Sequence, residues 1–252
     1  MKLCTTSINN QIASLLLANR GDGTDWGEFA SPEYKPWTQK FANKFLLCSL
    51  LDYQIPSTKA WQNGYRLVEQ ILADPEDVWK AITAATEGEW ISRRTEYNLH
   101  RFPAAHNRLW KIGKRMCEWY DGDARRIWSD RDSQSVLQAL WDLEAGDQIS
   151  RMIVGALRDC NEISLQASDV KGDVYVRRVL GRILAGEIVD AETAVKSARE
   201  LYPDDPWQLD AQLWQIGSLY CKARRPKCGG CYLAAHCVYA ASQRSSGRSG
   251  PA

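Results

Sequence analysis

Hydrophobic residues recur at three- and four-residue steps along most of the chain, which is the spacing of one face of an α-helix. The segment 105–120 combines this pattern with cations over much of its remaining surface, so it predicts an amphipathic helix with a basic side. The same period predicts helices over 148–157 and 174–185, and the apolar run 41–51 predicts a buried central helix that ends near Pro56. No region alternates apolar and polar residues as a strand would. The pattern therefore indicates an all-α fold.

Composition sets the limits of this interpretation. A chain of 252 residues with 44% hydrophobic content can bury the core of one large or two small domains. No window approaches the ~18 uninterrupted apolar residues of a membrane helix, and residues 1–30 lack a signal-peptide pattern, so we expect a cytoplasmic protein without membrane contact. The net charge is only +1, so any nucleic-acid binding must come from local basic patches. The Ser-, Gly- and Arg-rich residues 241–252 are predicted to be disordered.

The candidate chemistry lies in four cysteines near the C-terminus, spaced C-x6-C-x2-C-x5-C: Cys221, Cys228, Cys231 and Cys237. Cysteine thiolates bind zinc or iron–sulfur clusters, and ligand count alone leaves both open. A disulfide framework is less favoured, because the remaining cysteines are scattered without a paired pattern. These are predicted to be buried thiols of a reducing compartment: Cys4, Cys48, Cys117 and Cys160.

A second motif, Asp-Val-Tyr-Val-Arg-Arg-Val-Leu-Gly-Arg at 173–182, precedes these cysteines. Together the two motifs resemble the helix-hairpin-helix DNA glycosylases of the endonuclease III and mismatch adenine glycosylase group. In that family the catalytic Asp is followed by a pattern that matches Arg178, Val179 and Arg182, and the iron–sulfur loop has the same cysteine spacing. The resemblance implies a [4Fe-4S] cluster on the four cysteines and Asp173 as the catalytic carboxylate.

The resemblance also implies an architecture and a partner. We expect a helical barrel domain over 37–155 and a cluster domain formed by 1–36 together with 156–240, with DNA in the cleft between them. The implied partner is double-stranded DNA containing a lesion or mismatch, bound by a monomer associated with the nucleoid. The implied activity is base-excision repair by hydrolysis of an N-glycosidic bond.

Three further segments are similar to DNA-contacting parts of the family. Tyr53 and Gln54 match the position where a side chain enters the duplex, although the end of a helix packed on the core would look the same. The run between the first two cysteines, 222–227, is expected to contact phosphates, although a basic run is usually a solvated surface. Arg178, within the motif at 173–182, is another candidate DNA contact. The cations of the run are Lys222, Arg224, Arg225 and Lys227.

The hairpin departs from the family pattern. Gly146 aligns with the hairpin glycine, and Gln148 falls where endonuclease III carries a lysine nucleophile. Gln148 cannot form an imine, which predicts a monofunctional enzyme, with Lys171 as the alternative amine. Glu144 and Asp147 are expected to repel phosphate and weaken DNA binding at the hairpin. Cys48 stands where the adenine-specific relatives have a general-acid Glu, so adenine excision by that route is not expected.

Other interpretations remain open for the same residues. Asp173 precedes a helix, where an Asp is most often an N-cap, and both roles can coexist. Asp169 is a rival carboxylate without the downstream arginine pattern. His236 is expected to be a neighbour of the cluster rather than a ligand. The inserted segment 85–107 is expected to shape the lesion pocket. The rival functions are a non-catalytic DNA-binding or damage-sensing protein on the same fold, and a zinc-stabilised helical adaptor.

Overall fold

The computed structural model describes residues 2–20, 24–163 and 167–245, with side chains from Ile8 onward. The described residues contain helices and no strand, which confirms the predicted all-α fold. The α-helices are, in chain order, α1 (Lys2–Ala18), α2 (Gln39–Leu51), α3 (Ser57–Tyr65), α4 (Val78–Thr83), α5 (Glu87–Ser92), α6 (Arg94–Tyr97), α7 (Pro103–Tyr120), α8 (Arg125–Trp128), α9 (Ser133–Asp142), α10 (Asp147–Asp159), α11 (Val174–Leu184), α12 (Ala191–Leu201), α13 (Asp210–Leu219) and α14 (Val238–Ser245). A π-helical turn, Arg66–Ile71, follows α3. The 3₁₀ turns are Gly27–Ala30, Pro32–Tyr34, Pro206–Leu209, Cys228–Gly230 and Ala234–His236.

The helices predicted from periodicity are confirmed as α2, α7, α10 and α11. The predicted disorder does not hold for residues 241–245, because they continue α14, in which Ala240 is buried. The rest of that predicted tail, 246–252, lies outside the described residues. Among the described helices, none is long and apolar enough to cross a membrane.

The chain divides into two compact units, which we name by their features. The cysteine unit comprises Met1–Asp25 and Ala167–Ala252, and the hairpin unit comprises Trp26–Gln166. The domain bounds expected from the resemblance, 37 and 155, remain a prediction.

The core of the hairpin unit forms around α2, most of which is buried. Asn43 joins this helix to the turn after α7, since its side chain donates to the Gly122 carbonyl at 2.7 Å and accepts from the Ala124 amide at 2.9 Å. A Cβ at Gly64 would lie 2.5 Å from Cys48 Sγ, so glycine allows α3 to approach α2 closely. Several tryptophans are fully buried in this unit, as expected from packing: Trp37, Trp79, Trp90 and Trp128.

The core of the cysteine unit forms around α11. Its apolar face, including Val176, Val179 and Leu180, packs with Ile12 and Leu16 of α1 and with apolar residues of α12 and α13. Helices α12, α13 and α14 all contact α11. The helix that follows Asp173 is therefore held on several sides, and its N-terminus has a defined position within the unit.

Candidate active site and cysteine cavity

Asp173 caps the N-terminus of α11. Its Oδ1 accepts hydrogen bonds from the Tyr175 amide at 2.7 Å and the Val176 amide at 3.0 Å. The cap predicted as the alternative role is thus present. Among the described residues no donor bonds Oδ2, and the side chain is partly exposed. One carboxylate oxygen is held by the helix and the other is available to a bound molecule, so the cap is compatible with catalysis.

The residues before Asp173 bear on two rival candidates. Asp169 accepts two hydrogen bonds from the Arg199 guanidinium, each at 2.6 Å, so its carboxylate is engaged in an ion pair. Lys171 lies two residues before Asp173, and its amide donates to Asp210 Oδ1 at 2.6 Å. In this segment, Asp173 is the carboxylate whose second oxygen is available to a bound molecule. Lys171 remains the alternative amine, because it lies two residues before Asp173 in the sequence.

Two buried arginines of α11 hold the chain around the first cysteine. Arg178 donates to the carbonyls of Cys221 at 2.5 Å and Gly217 at 3.0 Å, and 5% of its surface is exposed. Arg182 donates to the carbonyls of Lys222 at 2.7 Å and Ala223 at 3.1 Å. The Arg178 guanidinium is thus occupied inside the cysteine unit, and its predicted contact with DNA remains a prediction.

The four clustered cysteines line one cavity of about 30 Å³ that is partly open to solvent. Apolar side chains form much of the remaining wall: Val179, Ile183, Ile216 and Leu233. Arg182 Nη1 lies 3.4 Å from Cys221 Sγ. Among the described residues no three His, Cys, Asp or Glu side chains are close enough together to hold a single metal ion. The four sulfurs thus border one shared space.

The donor set of this cavity fits an iron–sulfur cluster. All seven described cysteines are free, so no disulfide engages these sulfurs. Burial raises the pKa of the Cys228, Cys231 and Cys237 thiols, and the neighbouring cysteines add to this effect. Such thiols ionise when they bind a metal centre, and the Arg182 guanidinium would offset part of the resulting negative charge. His236 does not line the cavity, and its role as a neighbour of the cluster remains a prediction.

The basic loop, Lys222–Lys227, joins the first two of these cysteines. Its base is closed at Tyr220, whose carbonyl accepts the Lys222 amide at 2.9 Å and the Lys227 amide at 2.8 Å. All four cations of the loop are exposed: Lys222, Arg224, Arg225 and Lys227. The described acidic side chains form no ion pair with them, although the Lys222 ammonium donates to the Ser218 carbonyl. The loop therefore presents unneutralised positive charge from a fixed base.

The wedge loop, residues 52–57, follows α2 in the hairpin unit. Asp52 closes its base by accepting from Ser57 Oγ at 2.7 Å and Trp61 Nε1 at 3.0 Å. Within the loop, Gln54 is exposed and has a φ of +53°, which is the left-handed region. Gln54 therefore projects from a loop that is anchored at both ends.

The inserted segment 85–107 packs against the wedge loop. The His100 ring stacks on the Tyr53 ring, with centroids 4.5 Å apart. The Phe102 ring is also stacked on Tyr53, with a centroid distance of 6.4 Å. The Phe102 amide donates to His100 Nδ1, so Nε2 carries the hydrogen and donates to the Tyr53 carbonyl at 2.9 Å. Burial lowers the pKa of His100, which keeps this ring neutral. Tyr53 is thereby held in place, and its entry into a duplex remains a prediction, as does the pocket role of the segment.

The hairpin, Leu143–Gly146, joins α9 to α10 through a Schellman motif. The Ala145 amide donates to the Leu140 carbonyl at 3.0 Å and the Glu144 amide to the Trp141 carbonyl at 2.8 Å. Glu144 occupies the left-handed position, with a φ of +62°, where glycine is usual. Gly146 is the N-cap of α10 with a φ of +88°, so the predicted hairpin glycine stands where its backbone freedom is needed.

Both acids of the hairpin region are paired with arginines. Arg115 of α7 donates to Glu144 at 2.6 Å, and Arg151 of α10 donates to Asp147 at 3.0 Å. The Arg115 contact lowers the pKa of Glu144, with Lys111 adding to the effect. The expected repulsion of phosphate by these acids is therefore reduced by local cations. The Asp147–Arg151 pair has the i,i+4 spacing of a helix, whereas the Glu144–Arg115 pair joins residues 29 positions apart and has no signal in the spacing. Gln148 lies half-buried in the first turn of α10.

No family model matches the sequence, and no curated protein is similar to it in sequence. Solved structures do match. A trapped covalent intermediate of endonuclease III with DNA, an estranged-adenine complex, has a TM-score of 0.62 and 15% identity, covering 97% of this chain and 99% of that one. A thermostable thymine-DNA glycosylase has a TM-score of 0.62 and 16% identity, covering 94% and 99%. A non-covalent endonuclease III–DNA complex has a TM-score of 0.64 and 17% identity, covering 94% and 98%.

The chain has the fold of the helix-hairpin-helix DNA glycosylases. The resemblance deduced from the cysteine spacing and the motif at 173–182 is thus confirmed at the level of the fold.

Within this helix-hairpin-helix fold, sequence reasoning missed the specific contacts of two arginines. Arg182 was noted as part of a motif, but its contacts with Cys221 Sγ and the basic loop join residues about 40 positions apart. Arg115 is one of the cations of the amphipathic helix predicted over 105–120, and its pairing with Glu144 joins α7 to the hairpin. The sequence does contain a signal for Arg182: it lies among apolar residues of α11, and a cation buried there needs hydrogen-bond partners.

Proposed function

We propose that the protein is a DNA glycosylase that hydrolyses the N-glycosidic bond of a damaged or mismatched base. The observation that carries this proposal is the Asp173 carboxylate, which α11 orients through Oδ1 while Oδ2 is available. Cleavage of an N-glycosidic bond builds positive charge on the sugar, so a carboxylate beside the anomeric carbon stabilises the transition state and can orient or deprotonate water. The similar structures, two endonuclease III–DNA complexes and a thymine-DNA glycosylase, support the proposal.

The proposed enzyme uses water rather than an amine as its nucleophile. Gln148 stands at the start of α10, and its amide cannot form a Schiff base with the sugar. The product would be an intact strand with an abasic site. Lys171 is the amine to exclude, since it lies two residues before Asp173. Borohydride trapping of a covalent protein–DNA adduct would contradict the proposal of a monofunctional enzyme.

We propose that the cavity of Cys221, Cys228, Cys231 and Cys237 holds a [4Fe-4S] cluster. The four thiols border one cavity and have the cysteine spacing of the resembled family's iron–sulfur loop, which supports a cluster. With all ligands supplied by cysteine, the cluster would have a structural role and would fix the basic loop. Purified protein is expected to contain about four irons and four sulfides per chain. Stoichiometric zinc without iron would contradict the cluster and favour the zinc-stabilised adaptor.

The test of the main proposal is an excision assay on duplexes carrying uracil, thymine mismatches, oxidised pyrimidines, oxidised purine pairs and alkylated bases. Strands are analysed with and without alkali, for the wild type and for Asp173→Asn. We expect alkali-dependent cleavage of one substrate class and a loss of at least ~10²-fold in the variant, because Asn keeps a capping oxygen but lacks the charge.

The control for this assay is Asp169→Asn, which removes a carboxylate from the same segment and should retain excision. Equal activity of Asp173→Asn and wild type would contradict the assignment of Asp173. Binding to these duplexes without excision of any base would favour the second candidate, a damage-sensing protein on the same fold.

A further inference from the structure

The cysteine unit exposes a pair of aromatic rings beside the candidate catalytic carboxylate. Trp214 on α13 is 50% exposed, although large apolar side chains are usually covered. Tyr175 on α11 packs against it edge-to-face, with ring centroids 5.7 Å apart and an interplanar angle of 64°. The two rings therefore form one exposed aromatic surface.

This ring pair has a defined position rather than a loose one. A Cβ at Gly217 would lie 2.7 Å from Tyr175 Cβ, so a glycine on α13 makes the space for the tyrosine. The Arg178 guanidinium lies 5.1 Å from the Tyr175 ring, on which it forms a cation–π contact. The Tyr175 ring is thus held by α13 and by an arginine of its own helix.

The ring pair also lies close to the candidate chemistry and to positive charge. The Tyr175 amide donates to Asp173 Oδ1, so the aromatic surface begins two residues from the carboxylate. Lys222 of the basic loop donates to the Ser218 carbonyl, and Ser218 is four positions after Trp214, on the same face of α13. An aromatic surface with the exposed Lys222 ammonium beside it is complementary to a ligand with flat rings and a charged backbone, which describes nucleic acid.

We propose that the Tyr175–Trp214 ring pair stacks on an unpaired base of the DNA strand on which Asp173 acts. This inference rests on the proposed function, and it adds a specific contact that would hold a strand opened at the target site. Base flipping leaves unpaired bases near the carboxylate, and stacking on an aromatic ring offsets part of the lost base stacking. The contact would be independent of base identity, because every base has a π-face.

The experiment measures binding of a short fluorescent thymidine oligonucleotide, and it needs no catalysis. We expect Trp214→Ala and Trp214→Leu to weaken binding by roughly tenfold, while Trp214→Phe stays within roughly twofold of the wild type, because phenylalanine retains a ring. Leu219→Ala is the matched control, since Leu219 is an exposed apolar residue of the same helix, 49% exposed. Circular dichroism and thermal unfolding verify that each variant is folded.

Several outcomes would overturn the stacking site. Wild-type binding retained by Trp214→Leu would show that apolar bulk suffices, and no binding by the wild type would remove the site altogether. A dimer that Trp214→Ala converts to a monomer would assign the rings to a second copy of the chain instead. The two proposals can fail separately. If the wild type excises a base and Trp214→Ala binds the oligonucleotide as tightly as the wild type does, the stacking site alone is wrong. If the wild type excises no base but Trp214→Ala binds more weakly than the wild type, the stacking site is supported and the glycosylase is contradicted.

Discussion

Cations lie within the basic loop of the cysteine unit and on the helices next to the hairpin of the other unit, but the two sets differ in whether carboxylates pair with them. In the loop, Arg224 and Arg225 are exposed and form no ion pair with the described acidic side chains. At the hairpin, Arg115 and Arg151 are bonded to Glu144 and Asp147. The number of cations in or beside a segment therefore does not by itself set its affinity for phosphate, because a paired cation must first leave its carboxylate.

The physical basis of this difference is counterion release. A cation that neutralises a phosphate displaces one condensed counterion, so each such contact adds about 0.9 to the slope of log affinity against log salt. A cation already paired with a carboxylate contributes less, since the phosphate and the carboxylate compete for it. We therefore expect most of the salt dependence of DNA binding to come from the basic loop.

The largest expected effect comes from neutralising the loop. The double variant Arg224→Gln with Arg225→Gln should lower the salt slope by about 1.8 and weaken binding to all sequences alike. The measurement is fluorescence anisotropy with an undamaged duplex between roughly 50 and 200 mM salt. Arg115→Gln is the control and should change the slope much less. An equal loss of slope in the control would remove the distinction between the two regions.

A smaller effect of opposite sign is expected at the hairpin. Glu144→Gln removes the carboxylate that pairs with Arg115, so the guanidinium becomes available and duplex binding should tighten by a few-fold, with a salt slope steeper by about 1. The matched control is Asp142→Asn, which makes the same change in net charge at an exposed acid near the end of α9. Equal effects of the two variants would show that net charge alone matters, and that the pairing of Arg115 does not restrain binding.

Several parts of the site could be predicted because their signals are local in the chain. The helix periods of α7 and α11 depend on neighbours three and four residues apart, and the cap of Asp173 depends on amides two and three residues ahead. The shared cavity of the cysteines follows from four ligands within one short segment. Such features need no knowledge of what packs against them.

Other parts could not be predicted because they join distant positions. His100 of the inserted segment stacks on Tyr53, 47 positions earlier in the chain, and Trp214 packs against Tyr175 although α12 lies between them in the sequence. In both cases each residue has an ordinary explanation by itself, as a core histidine or an amphipathic aromatic. Only the packing of helices shows which two are in contact.

The sequence by itself determined the all-α fold, the position of the candidate carboxylate and the grouping of the four cysteines. Each of these follows from hydrophobic period, capping chemistry or ligand spacing within a few helical turns. The tertiary structure decided which charges remain available and which rings remain exposed. Arg178 and Arg225 are both candidate DNA contacts in the sequence, yet one is buried against backbone carbonyls and the other faces solvent, because burial depends on the helices that pack around each residue.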